Sequence, residues 1–115
     1  NESKGESAIS KFLDINNYSY ERQYMFDDCY NVNKLKFDFC IKDKTGEILL
    51  LVEFDGIQHF ESVEFFGGDE GLKLTQLRDR IKNDYCEKNK INLSRIPYWG
   101  LDNIEEILSN VLVEL

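Results

Sequence analysis

The chain is short of several things, and each shortage closes off a class of protein. Proline occurs once, at Pro97, so there is no proline-rich linker or polyproline segment. Cysteine occurs three times, at Cys29, Cys40 and Cys86, widely spaced and without a CxxC pair. That pattern is a poor disulfide framework and a poor zinc site, and it predicts three reduced thiols in an intracellular protein. No apolar run approaches the roughly 18 residues of a membrane span, and the opening residues do not read as a signal peptide. Cations are scarce too: 14 Lys and Arg stand against 22 Asp and Glu, a formal charge of −8. A field of that sign does not draw in nucleic acid. A polyanionic partner would need local basic groups, metal ions that offset the carboxylates, or a binding part outside these residues.

What is present is a chain of 115 residues, 42% hydrophobic and 13% aromatic, enough for one domain with one modest core. It starts at Asn1 without a Met, so a fragment of a longer protein is expected. No repeat or low-complexity stretch interrupts it. A helix is expected from Ser3 to Leu13, with Ala8, Ile9, Phe12 and Leu13 as its apolar stripe and Asn16-Asn17 as its end. A short strand is expected from Arg22 to Phe26, then a loop over DDCYNVN. KLKFDFCI, residues 34–41, alternates, with Phe37, Phe39 and Ile41 on one face and Lys36, Asp38 and Cys40 on the other. KDKTGE is a hairpin turn by composition. Ile48 to Asp55 is almost continuously apolar, as suits a strand covered on both faces.

GIQHFESVEFFGGDEG then reads as a long loop. Leu72 to Asn89 reads as a helix with Leu74, Leu77, Ile81 and Tyr85 on one side. INLSRIPYW is a fourth strand. The last helix, Ile104 to Leu115, is expected to be capped by Asp102 with Glu105 reaching back. A strand–helix–strand crossover makes the fourth strand parallel to the third.

The apolar run LLLVEFDGIQHF stops on charge, with Glu53, Asp55, Gln58 and the single histidine, His59. Alternation points Glu53 and Asp55 to one face. With an even-length turn centred on Lys44-Thr45, Asp38 sits opposite Leu51 on that face, about 7–8 Å diagonally from Glu53. A three-residue loop with a bulge at Gly46 would reverse the parity and turn Asp38 away. The even loop is adopted because it gathers Asp38, Glu53 and Asp55. Carboxylates so gathered repel, and burial adds to the cost. Mg²⁺ or Mn²⁺ would offset that cost, polarise a phosphodiester and lower the pKa of a bound water. His59 is placed to take a proton from that water, and Gln58 to orient water or substrate.

Plainer readings stand beside these: a charged strand end leaving for solvent, His59 packed on Phe60, and Gln58 bonded to backbone. Arg78 and Lys82 lie one helical turn apart. With Lys73, Arg80, Lys88 and Lys90 nearby, they are candidates for phosphate contact. The alternative is a solvated helix laced by Asp79, Asp84 and Glu87. Phe65, Phe66, Tyr98 and Trp99 read as core or loop packing rather than as platforms for bases.

In order, GESAI, QYMFDDC, FDF, VEFDGIQHF, FFGG and RDRIKNDYCEKNKINLSRIPYW resemble the PD-(D/E)XK nuclease superfamily. More narrowly, they are similar to the very-short-patch-repair-like endonucleases and related phage homing endonucleases, over most of the chain. The resemblance implies an α/β fold with a restriction-endonuclease-like core. Its order would be a helix, a three-strand antiparallel meander, a crossover helix, a parallel fourth strand and a C-terminal helix, as one domain over 1–115. It implies a Mg²⁺-dependent endodeoxyribonuclease acting in a bacterial cytoplasm or a phage-infected cell. Asp38 matches the metal-binding aspartate, Glu53 the acidic residue of the next strand, and Glu6 a first-helix glutamate near the metal. Asp55 stands where the motif lysine is expected, and His59, Lys82 and Lys36, in that order, are the replacements. Asp38, Glu53 and Asp55 are the expected metal set, and Lys36, Arg78 and Lys82 the expected phosphate contacts. The competing expectations are a non-catalytic module of the same fold that binds DNA or a protein, and a generic acidic α/β interaction domain.

Overall fold

The computed structural model describes residues 2–115. Helix α1 covers Lys4–Ile15. Ser3 caps it, its hydroxyl oxygen accepting from the Glu6 amide at 3.1 Å, which satisfies one of the free N–H groups of the first turn. Asn17, at φ 59°, closes the other end, where Tyr18 N donates back to Leu13 O at 2.9 Å. Strands β1 (Ser19–Asn31), β2 (Asn33–Lys42) and β3 (Ile48–Asp55) form an antiparallel meander. Helix α2 (Gly68–Lys88) crosses over to β4 (Leu93–Pro97), which pairs parallel to β3, and α3 covers Ile104–Val113. The result is α/β, with one mixed sheet in the order β1-β2-β3-β4. Among the described residues no helix is long and apolar enough to cross a membrane.

Each face of the sheet has its own core. On one face Phe39, Ile41, Leu50, Val52 and Ile96 pack with Ile9, Phe12 and Leu13 of α1 and Leu108 of α3. Phe54 reaches the same side, and a Cβ on Gly5 would stand 2.3 Å from its ring tip, so only glycine lets α1 approach there. On the other face Leu35, Phe37, Cys40 and Leu51 pack with Cys29 and with Cys86 of α2. The apolar run of β3 is therefore covered on both sides, as its composition required. The three cysteines are buried free thiols. Burial pushes Cys40 and Cys86 up to about 11, which makes them inert.

Several boundaries differ from the sequence reading. DDCYNVN is not a loop: β1 runs on through Asn31, with a register shift between Met25 and Tyr30. Buried Cys29 and a 2.6 Å hydrogen bond from the Tyr85 hydroxyl to Asp28 tie this segment to α2. The expected loop over 56–71 holds two short 3₁₀ turns, Ile57–His59 and Glu64–Phe66, and α2 already begins at Gly68. INLSRIPYW is strand only over Leu93–Pro97 and continues as a 3₁₀ segment, Tyr98–Asn103. That segment takes up Asp102, so the N-cap of α3 is Asn103, without a side-chain cap bond.

Two departures matter for the site. Asp43 and Glu47 close a three-residue loop with Gly46 at φ 88°, not the even loop expected. A second irregularity follows: Lys42 faces Ile48 while Ile41 faces Leu50, leaving Leu49 as the extra residue. The two parity changes cancel. Cys40, not Asp38, faces Leu51, which brings Asp38 level with Glu53. In addition, Phe37 does not share a face with Phe39 and Ile41. Phe37 packs in the α2-side core, and Phe39 and Ile41 in the other. The same reversal separates Tyr20 from Tyr24 in β1, across Gln23, which adopts φ 51°. Gln23 and Asp38 thus mark a shared twist in the β1–β2 hairpin, with a left-handed backbone costing about 1 kcal/mol or more at Gln23.

Candidate functional site

The ladder between β2 and β3 ends at the pair Phe39–Val52. Beyond it, side chains replace ladder bonds. The Asp38 amide donates to Glu53 Oε1 at 2.7 Å, and the Phe54 amide donates to Asp38 Oδ2 at 2.8 Å. Two carboxylates therefore cross in the seam where the strands separate. Lys82, projecting from α2, donates to Glu53 Oε2 at 2.7 Å, and its Nζ lies 5.2 Å from the centre of the Phe37 ring. Glu53 is 3% exposed, so both its oxygens need these donors. Asp38 is less well served. Burial, then the neighbouring Glu53 charge, pushes its carboxyl up to about 7, against the opposing pull of the Phe54 amide.

On the α1 side, Asp38 opens into a polar cleft of about 600 Å³ shared with Glu2, Glu6, Arg22, Gln23 and Lys36. Glu6 is not free in it: Arg22 Nη2 donates to Glu6 Oε1 at 2.9 Å, and Arg22 also pairs with Glu2. The guanidinium of Arg22 stacks over Phe39, with its carbon 4.3 Å from the ring centre.

Asp55 was expected as a third ligand beside Asp38 and Glu53, and the structure turns it elsewhere. Arg95, paired with Glu53 across the parallel β3–β4 ladder, donates from Nη1 to both Asp55 oxygens at 3.0 and 3.1 Å. Among the described residues no group of three His, Cys, Asp or Glu side chains is arranged to hold a metal. His59, placed by the 3₁₀ turn after β3, has Nδ1 2.7 Å from Asp79 Oδ2 and 3.7 Å from Asp55 Oδ1. Burial lowers the imidazole pKa, but the Asp79 hydrogen bond and the Asp55 and Asp79 charges outweigh it, and the net shift is upward. Gln58 folds back against Gly56, and among the described residues it makes no hydrogen bond to the carboxylates.

Sequence reasoning missed Asp79, Arg95 and Arg22. Asp79 was read as a surface partner for helix lysines, since nothing local shows that α2 turns it inward to His59. Arg95 had a signal, a lone cation inside a five-residue strand, but its partner depends on the parallel register.

The residues expected to contact phosphate lie along one groove. Lys36, Arg78 and Lys82, joined by Lys34, line a groove of about 540 Å³ between the tip of the β1–β2 hairpin and α2. Lys34 also pairs with Asp27 at 2.8 Å. Of the readings for Phe65, Phe66, Tyr98 and Trp99, loop packing fits and core does not: Phe65 is 88% exposed and Trp99 63%. Phe60, Tyr98 and Trp99 touch one another at the surface, with centroids 4.8 to 6.0 Å apart.

The chain matches no family model, no curated protein and no solved structure.

Proposed function

We propose that the chain is a metal-dependent endonuclease domain with a restriction-endonuclease-like core that hydrolyses phosphodiester bonds in DNA. What supports this most is the seam between β2 and β3, where carboxylates from neighbouring strands cross and the crossover helix delivers a lysine. The residues fit Mg²⁺, with Mn²⁺ able to substitute. Such ions take hard oxygens, and Mg²⁺ commonly uses only one or two carboxylates, completing its shell with water and phosphate. Asp38 Oδ1 has no hydrogen-bond partner among the described residues, and burial disfavours the carboxylate's charge, so a cation there is welcome. Asp38 would hold the metal through its free Oδ1 and Glu53 through a remaining lone pair of the oxygens that accept from the Asp38 amide and Lys82, with Glu6 at the edge of the same cleft. When bound, the metal polarises the phosphoryl oxygen and lowers the pKa of a water.

The other groups divide the remaining work. Lys82 takes the place of the motif lysine that Asp55 displaces, and its ammonium is positioned at Glu53 to balance developing charge. His59, held through Nδ1 by Asp79, presents Nε2 as the group that takes or returns a proton. Asp55 is a positioning residue for Arg95 and His59. Sequence specificity is assigned to a partner or a further DNA-binding domain, since the overall charge of −8 supplies none.

Cleavage of plasmid and oligonucleotide DNA with Mg²⁺ or Mn²⁺ tests this. Asp38→Ala and Glu53→Gln should abolish cleavage while circular dichroism shows a retained fold. A wild-type chain that cuts no linear, nicked, branched or single-stranded DNA would overturn it. That outcome would favour a non-catalytic module of the same fold, for which Lys82 and Arg95 already neutralise Glu53 and Asp55.

A further inference from the structure

The groove between the hairpin tip and α2 has features that hydrolysis alone does not require. One wall is β2, carrying Lys34 and Lys36; the other is α2, carrying Arg78 and Lys82. Residues two apart on a strand are spaced by about 6.5 Å. Residues four apart on a helix rise by about 6 Å. Both spacings are of the order of the distance between successive phosphates along one sugar–phosphate strand. Each wall thus carries two cations at that spacing, of which Lys34 is paired with Asp27 and Lys82 with Glu53, leaving one unpaired cation on each wall. Among the described residues Lys36 and Arg78 form no ion pair, so their charge is free for a ligand. Val32 at the hairpin tip, 94% exposed at φ 67°, and Leu74 give the groove apolar edges. Lys36 also lines the acid cleft that contains Asp38, so the two depressions adjoin at that residue.

We infer that this groove seats successive phosphates of one nucleic-acid strand and leads that strand past Lys36 to Asp38. The ligand's identity as nucleic acid rests on the nuclease reading; the seat itself is a matter of charge and spacing. It explains how a chain with a net charge of −8 takes hold of a polyanion: the attraction is local.

The test is binding in EDTA, where no metal-dependent cleavage occurs, so failure of the seat and failure of catalysis are read separately. Fluorescence anisotropy of a short labelled oligonucleotide, single-stranded and as a duplex, is followed over a range of salt. Wild type should bind with an affinity that falls as salt rises, with a slope of about −0.9 for each phosphate neutralised on the duplex and about −0.7 on the single strand. Lys36→Gln with Arg78→Gln should weaken binding roughly tenfold and make the slope shallower by about 2, one for each cation removed. Lys44→Gln, in the turn at the other end of β2, removes the same kind of charge and should change neither. Both cations are exposed, so an unchanged melting temperature will show that the double variant folds. The inference is overturned if the double variant binds as wild type, or if Lys44→Gln weakens binding equally. It is also overturned if wild type shows no salt-dependent binding. Retained seat binding without any cleavage would sink the nuclease reading and leave the seat standing.

Discussion

Replacing Asp38 with asparagine should stabilise the protein, and the gain should depend on pH. The native carboxyl titrates near 7, against an ordinary value of 3.8, so the folded state binds its proton more tightly than the unfolded chain does. A folded-state acid with a raised pKa contributes most below the unfolded value and loses that contribution as pH climbs toward the folded one. Stability attributable to Asp38 therefore declines from about pH 4 to about pH 7. At about 1.4 kcal/mol per tenfold change, the whole step amounts to ~4 kcal/mol. Relaxation of the seam and water entering the cleft reduce that, and about 2 kcal/mol is the working expectation. Asparagine keeps the shape and an oxygen for the Phe54 amide but carries no charge. Asp38→Asn and wild type should melt together near pH 4. At pH 8 the variant should melt roughly 10 °C higher, given a few degrees per kcal/mol for a chain of this size. Paired thermal melts across that range isolate Asp38, because every other group titrates in both proteins. Mn²⁺ at pH 8 should raise the wild-type melting temperature and leave the variant unmoved. A variant no more stable than wild type at pH 8 would refute the account of a strained, uncompensated carboxylate.

The Asp79 hydrogen bond holds the imidazole of His59 above its usual 6.5, so its stabilising contribution is full below 6.5 and fades as pH rises through the raised value. Asp79→Asn should lower that value, seen directly in an NMR titration of the single histidine, and should move the acid limb of any cleavage profile to lower pH. Lys82→Met leaves buried Glu53 without its ammonium and should cost about 3 kcal/mol at neutral pH by chemical denaturation; Lys82→Arg should recover part of it. Gly71→Ala would put a Cβ 1.9 Å from the Phe66 carbonyl oxygen, so a loss of about 2 kcal/mol is expected, with faster amide exchange in the turn Glu64–Phe66.

The elements most legible in the sequence are those whose pattern is set by their own burial. β3 was bounded correctly because both faces are covered, and its parallel pairing with β4 followed from the helix between them. The order of helices and strands followed in the same way. What could not be read locally is where a strand changes faces. Phe37, Phe39 and Ile41 alternate without a flaw, yet a left-handed residue on the neighbouring strand, Gln23, reverses the pattern at Asp38. DDCYNVN looked like a loop because its polar residues face solvent or Tyr85, and only the pairing partner in β2 makes it strand. For the seam, the sequence singles out Asp38, Glu53 and Lys82, which the structure brings together, but it also groups Asp55 with them, which Arg95 holds apart. It missed Asp79 and Arg95, whose partners lie 20 and 40 residues away in the chain.

The twist that defeats the alternation pattern is also what opens the seam on which the proposed function rests. Had β2 stayed flat, Asp38 would pair in the ladder opposite Glu53, and its amide would take a backbone carbonyl. Because the hairpin turns at Gln23 and Asp38, that amide takes the Glu53 carboxylate, and the Phe54 amide takes Asp38. Each carboxylate takes a backbone amide of the neighbouring strand, and Glu53 is held by Lys82 as well. Locking of this kind fixes acidic oxygens within hydrogen-bond precision, which a site that handles a phosphodiester needs. Besides the backbone strain at Gln23, the cost falls on Asp38, whose charge burial disfavours, while Glu53 and Asp55 are paired with Lys82 and Arg95. If the seam served stability alone, Asp38 would be better as asparagine; under the proposed function, a divalent cation at the mouth of the polar cleft would offset the charge that burial disfavours.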